Sequence, residues 1–381
     1  MNSFLILEWF IKGFVWVLVL IGGFAYLTLY ERKALARIQS RIGPNRAGPW
    51  GILQPIADAL KLIFKEELTP AKADKLLFLL APVITVVPAV VITAVVPWTP
   101  AVSILGHTLT LYIADINVGV LYIMSVASIA VYGIVLSGWS SNNKYATLGG
   151  MRSSAQMVSY EISLGLSFVA VILLAGSMRM LDIVEAQRTI WFGVLQPVGL
   201  TIFLIATLAE VNRAPFDMPE AEQELTAGYH TEYSGMKFAL LFMAEYVKMI
   251  SICAIAATLF LGGYRAPWPI SNTFLSFLST DRYPLLGLVY YFIKIFILLF
   301  GMIWVRATLP RIRYDRLMEF GWKVLLPLSL AVIFITAAGI ILAQQVAPAL
   351  LWITPVASLL VAAFAVAMID RSLRRKDYAR R

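Results

Sequence analysis

The chain has 381 residues, of which 60% are hydrophobic and only 14% charged, with a mean hydropathy of +0.80. A soluble domain cannot hide that much apolar surface, so the sequence reads as a polytopic membrane protein. Its net charge of +9 falls at the ends of apolar runs, which removes nucleic-acid binding as the cause, and a single cysteine, Cys253, excludes both a disulfide framework and an iron–sulfur cluster, which takes about four thiolates.

Nine apolar stretches are long enough to cross, or nearly cross, a hydrocarbon layer of roughly 30 Å. They run approximately 10–29, 76–97, 116–138, 158–176, 191–209, 238–262, 284–305, 324–343 and 352–369. The expected fold is therefore all-α, with nine transmembrane helices in one integral membrane domain over 1–381. The first stretch is too long for a signal-peptide core and has no small-residue cleavage site after it, so it reads as a retained span. Lysine and arginine set the orientation. Of the 31, 24 lie after spans one, three, five and seven or in the tail, against Lys12, Arg179, Arg188, Arg265 and Arg282 on the opposite side. Lys248 and Lys294 lie inside spans. The N-terminus is expected outside and the C-terminus in the cytoplasm.

The segment 30–75 is too long for a simple connection. Turn signals at Gly43-Pro44-Asn45 and Gly48-Pro49 precede Ile52, Ile56, Leu60 and Ile63 at helical spacing, with Asp58, Lys61 and Lys65 between them. That pattern predicts an amphipathic helix in the interface plane, either a plain anchor or a partner-docking or ligand-gating element. The loop 98–115 reads as a plain connection, and His107 has no ligand-type neighbour there. His230, alone among carboxylates, does not make a metal site either, though it can titrate near neutral pH. No metal site is expected.

Span four opens with Tyr160-Glu161, and span six carries Glu245 and Lys248. A carboxylate inside an apolar helix costs a few kcal/mol, faces the bundle interior or a hydrated cavity, and marks an ion or proton path. Glu245 and Lys248 stand three apart on one helix face, where they can pair. Glu161 has no such partner in sequence and is the cleaner candidate for a proton carrier. Between spans five and six lies the loop 210–237, whose first 23 residues hold Glu210, Asp217, Glu220, Glu222, Glu224 and Glu232 against one arginine, Arg213. Pro215 and Pro219 fix its path in a way that a solvated tail does not need. Lys294 in span seven can neutralise an acid from another helix. The basic segment after it, Arg306, Arg311, Arg313 and Arg316, faces the same side as the acidic loop and reads as its counterpart or as an anchor. The region 350–381 adds a ninth span and a basic tail. Nucleotide loops, HExxH and serine elbows are absent, and no internal repeat is visible.

Several motifs are specific enough to point to a family. They are Glu31-Arg32-Lys33, Gln39-Ser40-Arg41-Ile42-Gly43-Pro44-Asn45-Arg46, Leu53-Gln54-Pro55-Ile56-Ala57-Asp58, Ala209 to Asp217, Phe242-Met243-Ala244-Glu245-Tyr246 and Trp304 to Arg311. Over roughly 10–343 the sequence resembles the quinone-chamber membrane subunit family of respiratory complex I, NADH:quinone oxidoreductase, whose members are the H subunit in bacteria and subunit 1 in mitochondria. The resemblance implies a subunit that anchors the peripheral redox arm and forms much of a tunnel for ubiquinone or menaquinone, with quinone as substrate. Iron–sulfur clusters and FMN then belong to partner subunits, as does the quinone-headgroup-binding subunit, and small membrane subunits lead on to antiporter-like ones. It implies proton-relay roles for Glu161, Glu210, Asp217, Glu220, Glu222, Glu224 and Glu245. It places Arg41, Asp58, Arg213, Phe216, Arg306 and Arg311 around the quinone chamber and loops. The ninth span departs from the eight of mitochondrial members and favours a bacterial plasma membrane. The equivalent subunit of a membrane-bound hydrogenase-type complex is the near alternative. A stand-alone ion transporter is the remote one, because no inverted repeat is visible.

Overall fold

Where no water reaches the backbone, every N–H and C=O must be satisfied within its own segment, so long apolar runs become helices. The computed structural model describes residues 3–100, 102–104, 107–218, 226–266, 280 and 283–380. It is an all-α membrane bundle with eight helices long and apolar enough to span. Helix α1, Ser3–Ile38, runs past its apolar stretch and carries Glu31 on its last turns. The amphipathic pattern is realised as α2, Gln54–Ile63, with Ile56, Leu60 and Ile63 exposed. Helix α3, Lys75–Val91, starts at Asp74, whose carboxylate accepts from the backbone N–H groups of Leu76 and Leu77, and contains Pro82 and Pro88.

The connection at 98–115 is more than plain. It holds a short antiparallel hairpin, β1 Val102–Ile104 and β2 His107–Leu109, paired from Val102↔Leu109 to Ile104↔His107. Beyond it, Asp115 receives a forked interaction from Arg179. Helices α4, Gly119–Ser140, and α5, Lys144–Ala175, then form an antiparallel pair. Because α5 begins well before residue 158, Tyr160 and Glu161 sit in mid-helix rather than at its opening.

The fifth apolar stretch does not form one continuous span. After α6, Met180–Ala186, it divides into α7, Phe192–Leu195, and α8, Pro197–Glu210. At 14 residues α8 covers about 21 Å, short of the layer. The break falls at Gln196, whose φ/ψ of −132/63 is not helical and whose amide donates to Ala170 O (3.0 Å) and Thr336 Oγ1 (3.1 Å). Nine apolar stretches thus become eight long helices and one divided one. The remaining α-helices among the described residues are α9 Gly235–Phe260, α10 Pro284–Thr308, α11 Tyr314–Phe320, α12 Leu326–Gln345 and α13 Ile353–Arg380. A π-helical turn, Gly321–Leu325, joins α11 to α12 without a loop.

The core lies where α4, α5, α8, α9 and α10 meet, around Tyr160, Phe168, Phe203, Phe260 and Tyr291. Helices α1 and α13 turn Phe10, Phe14, Leu360 and Phe364 outward, as helices facing hydrocarbon do. At one end of the bundle α9 is closed by Lys294 of α10. Its ammonium donates to the carbonyls of Leu261 (2.6 Å), Gly263 (2.8 Å) and Arg265 (2.7 Å) and lies over the Trp191 ring. Lys294 thus neutralises the end of a helix rather than an acid. The opposite end of α9 gathers the last turns of α1, α8 and α10 around residues 211–218 and 226–234.

Candidate functional site

Two buried charge clusters occupy that end. The first is centred on Glu31, which is 3% exposed. Its Oε1 is ion-paired with Arg306 from the end of α10 and lies 3.5 Å from Arg213 Nη1. The Arg213 guanidinium also stacks on the Tyr246 ring, 4.1 Å from its centre. Burial works against the charge of Arg213, but Glu31, Tyr246 and Glu245 outweigh it and hold the group above its ordinary pKa. Two arginines thus share this one carboxylate.

Arg213 is held by a stitched turn. Asn212 adopts a left-handed φ of 54°, a conformation asparagine tolerates, and Ala214–Pro215 is cis. Gln156, buried on α5, donates to Ala209 O (2.7 Å), Phe216 O (2.8 Å) and Asn212 Oδ1 (3.3 Å). Phe216 is buried with its ring centre 5.8 Å from that of Tyr160. The basic segment docks on this turn through the backbone: Arg311 donates to Asp217 O, and Ile312 N–H to Pro215 O at 3.1 Å. Arg306, at the start of the same segment, pairs with Glu31 of α1.

The second cluster lies deeper. Lys248 Nζ is 3.3 Å from Glu210 Oε1, across from α9 to the end of α8. Glu245 Oε1 accepts from the Tyr229 hydroxyl (3.1 Å) and lies 3.4 Å from His230 Nε2. The expected Glu245–Lys248 pair is therefore not formed. Positions three apart on a helix diverge by about 60°, and each side chain meets a nearer partner on a different element. A small cavity lined by Thr85, Met157, Glu210, Tyr229, Glu245 and Lys248 joins the two pairs and has room for about one water. Glu161, which sequence left alone, accepts from Ser128 Oγ on α4 and lies within electrostatic range of Glu210 and Lys248.

Of the anticipated residues, Glu161, Glu210, Glu245, Arg213, Phe216, Asp217, Arg306 and Arg311 thus converge. Asp58 lies apart on α2, bonded to Arg32 (2.6 Å) and Gln54 (3.1 Å), and Arg41 is exposed beside Gln39. Glu220, Glu222 and Glu224 fall outside the described residues. Glu31, Lys248, His230 and Tyr229 were not among the site candidates. The signal for Glu31 was its place as the first carboxylate after a span, inside a motif already singled out. Among the described residues no group of three His, Cys, Asp or Glu side chains could hold a metal. Buried carboxylates, each with a cationic or hydroxyl partner and joined by a water-sized cavity, can exchange protons and shift one another's charge over a few ångströms.

Comparison with known proteins bears on what such a site serves. The family model described as NADH dehydrogenase matches residues 11–337. The chain is 50% identical over 312 residues to the NADH-quinone oxidoreductase H subunit of Streptomyces avermitilis, covering 81% of this chain and 68% of that one. It is 51% identical over 312 residues to an H subunit of Geobacter sulfurreducens, covering 82% and 90%. It is 47% identical over 337 residues to that of Thermomicrobium roseum, covering 86% and 94%.

Proposed function

The chain belongs to the NADH dehydrogenase family, among the H-type membrane subunits of NADH-quinone oxidoreductase, and from that premise we propose that it couples quinone reduction to proton translocation. In this reading it forms the wall of a quinone chamber together with peripheral-arm subunits that carry FMN and the iron–sulfur clusters. The quinone, of ubiquinone or menaquinone type, is its substrate. Arg213, Phe216, Arg306 and Arg311 lie at the chamber side, with Arg41 and Asp58 on the outer segments, and Glu31 joins them. Glu210, Glu245, Glu161 and Asp217, with Glu220, Glu222 and Glu224 of the acidic loop, form the proton relay leading towards the small membrane subunits. The membrane is a bacterial inner membrane, with the N-terminus outside and the C-terminus cytoplasmic. The observation that carries the reading is the pair of charge clusters buried at one end of a largely apolar bundle.

The coupling follows from electrostatics. Charge that develops at a reduced quinone next to Arg213 and Arg306 alters the field on Glu210 and Glu245. At an effective dielectric of about 20, two unit charges about 4 Å apart interact by roughly 4 kcal/mol. That equals about three pKa units. A neighbour's charge change of that order moves a proton across the water-sized gap between Glu245 and Glu210 and on to Glu161.

The test is Glu210→Gln in the assembled complex, reconstituted in vesicles. The amide keeps the shape but carries no transferable proton, and it leaves the Lys248 charge uncompensated. NADH-driven proton translocation is expected to fall by roughly tenfold or more, with iron content and subunit composition unchanged. Full translocation in the variant would remove Glu210 from the relay.

A further inference from the structure

Between the first half of α1 and the last turns of α3 lies an open groove of about 500 Å³. That is within the roughly 300–1,000 Å³ of ordinary ligand pockets. Its walls are apolar, with Trp9, Phe14 and Val17 on one side and Val90 and Ala94 on the other. Ile113, whose N–H donates to Ala94 O, lines the end nearer the hairpin. Gly13 lies within the α1 wall, and a Cβ there would meet nothing within 4 Å. Trp9, Phe14 and Val17 are exposed, so the groove opens sideways into hydrocarbon rather than into the bundle. One turn further along, α1 closes on its neighbours, with Leu20 buried against Ala89, Ala244 and Val247. From Trp9 to Val17 the α1 wall covers about 12 Å of helix axis. That is close to one leaflet's share of a hydrocarbon layer of roughly 30 Å.

We propose that this groove holds one acyl chain of a phospholipid from the leaflet on the hairpin side, as a retained lipid. Length decides between the occupants. A membrane-spanning helix of a partner takes about 20 residues and crosses both leaflets, whereas this groove ends where Leu20 fills the space. A quinone headgroup needs hydrogen-bond partners, and the Trp16 indole N–H beside the groove already donates to Thr93 Oγ1 at 2.9 Å. Lipid tails are as apolar as leucine, so retention comes from packing. A chain lying in the groove touches protein on several sides, against one for a chain on an open helix face. The polar end is furnished as well. Lys12, next to Gly13, has its ammonium 2.6 Å from Glu8 Oε1 and 3.3 Å from Thr110 Oγ1, three residues before Ile113. A cation and a carboxylate thus stand where the chain leaves the groove, matching the opposite charges of a zwitterionic headgroup. Trp9 lies at the same end, as indoles at the headgroup level do.

The test places the photo-crosslinker p-benzoylphenylalanine in the assembled complex, in place of Phe14 in the groove wall or of Phe364 on the exposed face of α13. One sample is irradiated in the membrane and another after detergent extraction and washing, and the mass of this chain is read in each. In the membrane both positions are expected to gain the mass of a phospholipid. After washing, position 14 is expected to keep that adduct and position 364 to lose it. Gly13→Leu, which puts a side chain into the groove, is expected to abolish the retained adduct. Loss of the adduct at position 14 on washing, or the same behaviour at both positions, overturns the proposal, because only loose surrounding lipid is then present. An adduct at position 14 with a quinone or with another protein chain overturns it too. So does a retained adduct that Gly13→Leu leaves unchanged. Should Gly13→Leu not assemble, Val17→Trp takes its place with the same expected loss, and Phe10 gives a second site for the crosslinker.

Discussion

Glu31 has two arginine partners, and their removal is not equivalent to removing Glu31 itself. A buried charge stripped of its partner costs about 3–5 kcal/mol. Arg306→Ala is therefore expected to lower the thermal midpoint of the detergent-extracted chain substantially. The double variant with Glu31→Gln is expected to fall further, because the buried Arg213, 3.5 Å from Glu31, then loses its carboxylate. A double variant more stable than the single one would show that Arg213 alone does not compensate Glu31. Tyr233, just past His230, offers a second check. Burial against Phe78 pushes its phenol up to about 12 from an ordinary value near 10. The raised value means that the neutral phenol is the favoured form in the fold. Its contribution is fully present below pH 10 and is lost between about pH 10 and 12, and Tyr233→Phe should remove that alkaline component from the stability profile. The residues were only partly legible in sequence. An acid at the end of an apolar run looks like a solvated charge until the fold brings Arg306 to it from 275 positions away. Glu245 and Lys248 looked like each other's partners because spacing on one helix can be read directly, whereas the loop residues that claim Glu245 cannot be placed from spacing.

Helices with an unbroken apolar pattern were readable, and those shaped by their neighbours were not. The divided fifth stretch has the composition of a span, yet Gln196 interrupts it because α5 and α12 offer acceptors for its amide. The early start of α5 was hidden because its first turns are polar and glycine-containing. Gly149 there packs so closely that a Cβ would lie 2.5 Å from Gly228 Cα. Gly149→Ala should cost about 1–3 kcal/mol through overpacking and displace the turn that carries Tyr229 and His230. The expected result is lower proton translocation in assembled complex, and an unchanged value would mean that the turn yields freely. At the far end of α9, Lys294→Met keeps the apolar stem but leaves three carbonyls without their donor, at about 1–3 kcal/mol for each group left unsatisfied. A thermal midpoint equal to that of the unaltered chain would show that other donors replace the ammonium.

For the whole molecule, composition alone gave the membrane class, and the apolar runs gave eight of the nine expected spans as long helices. The hairpin after α3 escaped notice because its short strands carry no alternation long enough to recognise. Orientation is open to a direct test, because Cys253 is buried in α9 and is the chain's only thiol. On a Cys253→Ala background, a membrane-impermeant maleimide added to intact cells should label Leu111→Cys, beside the hairpin. It should leave Leu68→Cys, between α2 and α3, unmodified until the cells are opened. The reverse pattern would invert the molecule and move both charge clusters to the outer face.

The distance along the chain between Glu31 and Arg306 also sets a timetable. At about 5–20 residues per second, the ribosome delivers Arg306 some tens of seconds after Glu31. Until Arg213 is made the first helix carries a carboxylate with neither arginine, and until Arg306 is made it has only one of the two. A chain cut short before Arg306 therefore lacks one of the two cations that Glu31 meets in the finished bundle.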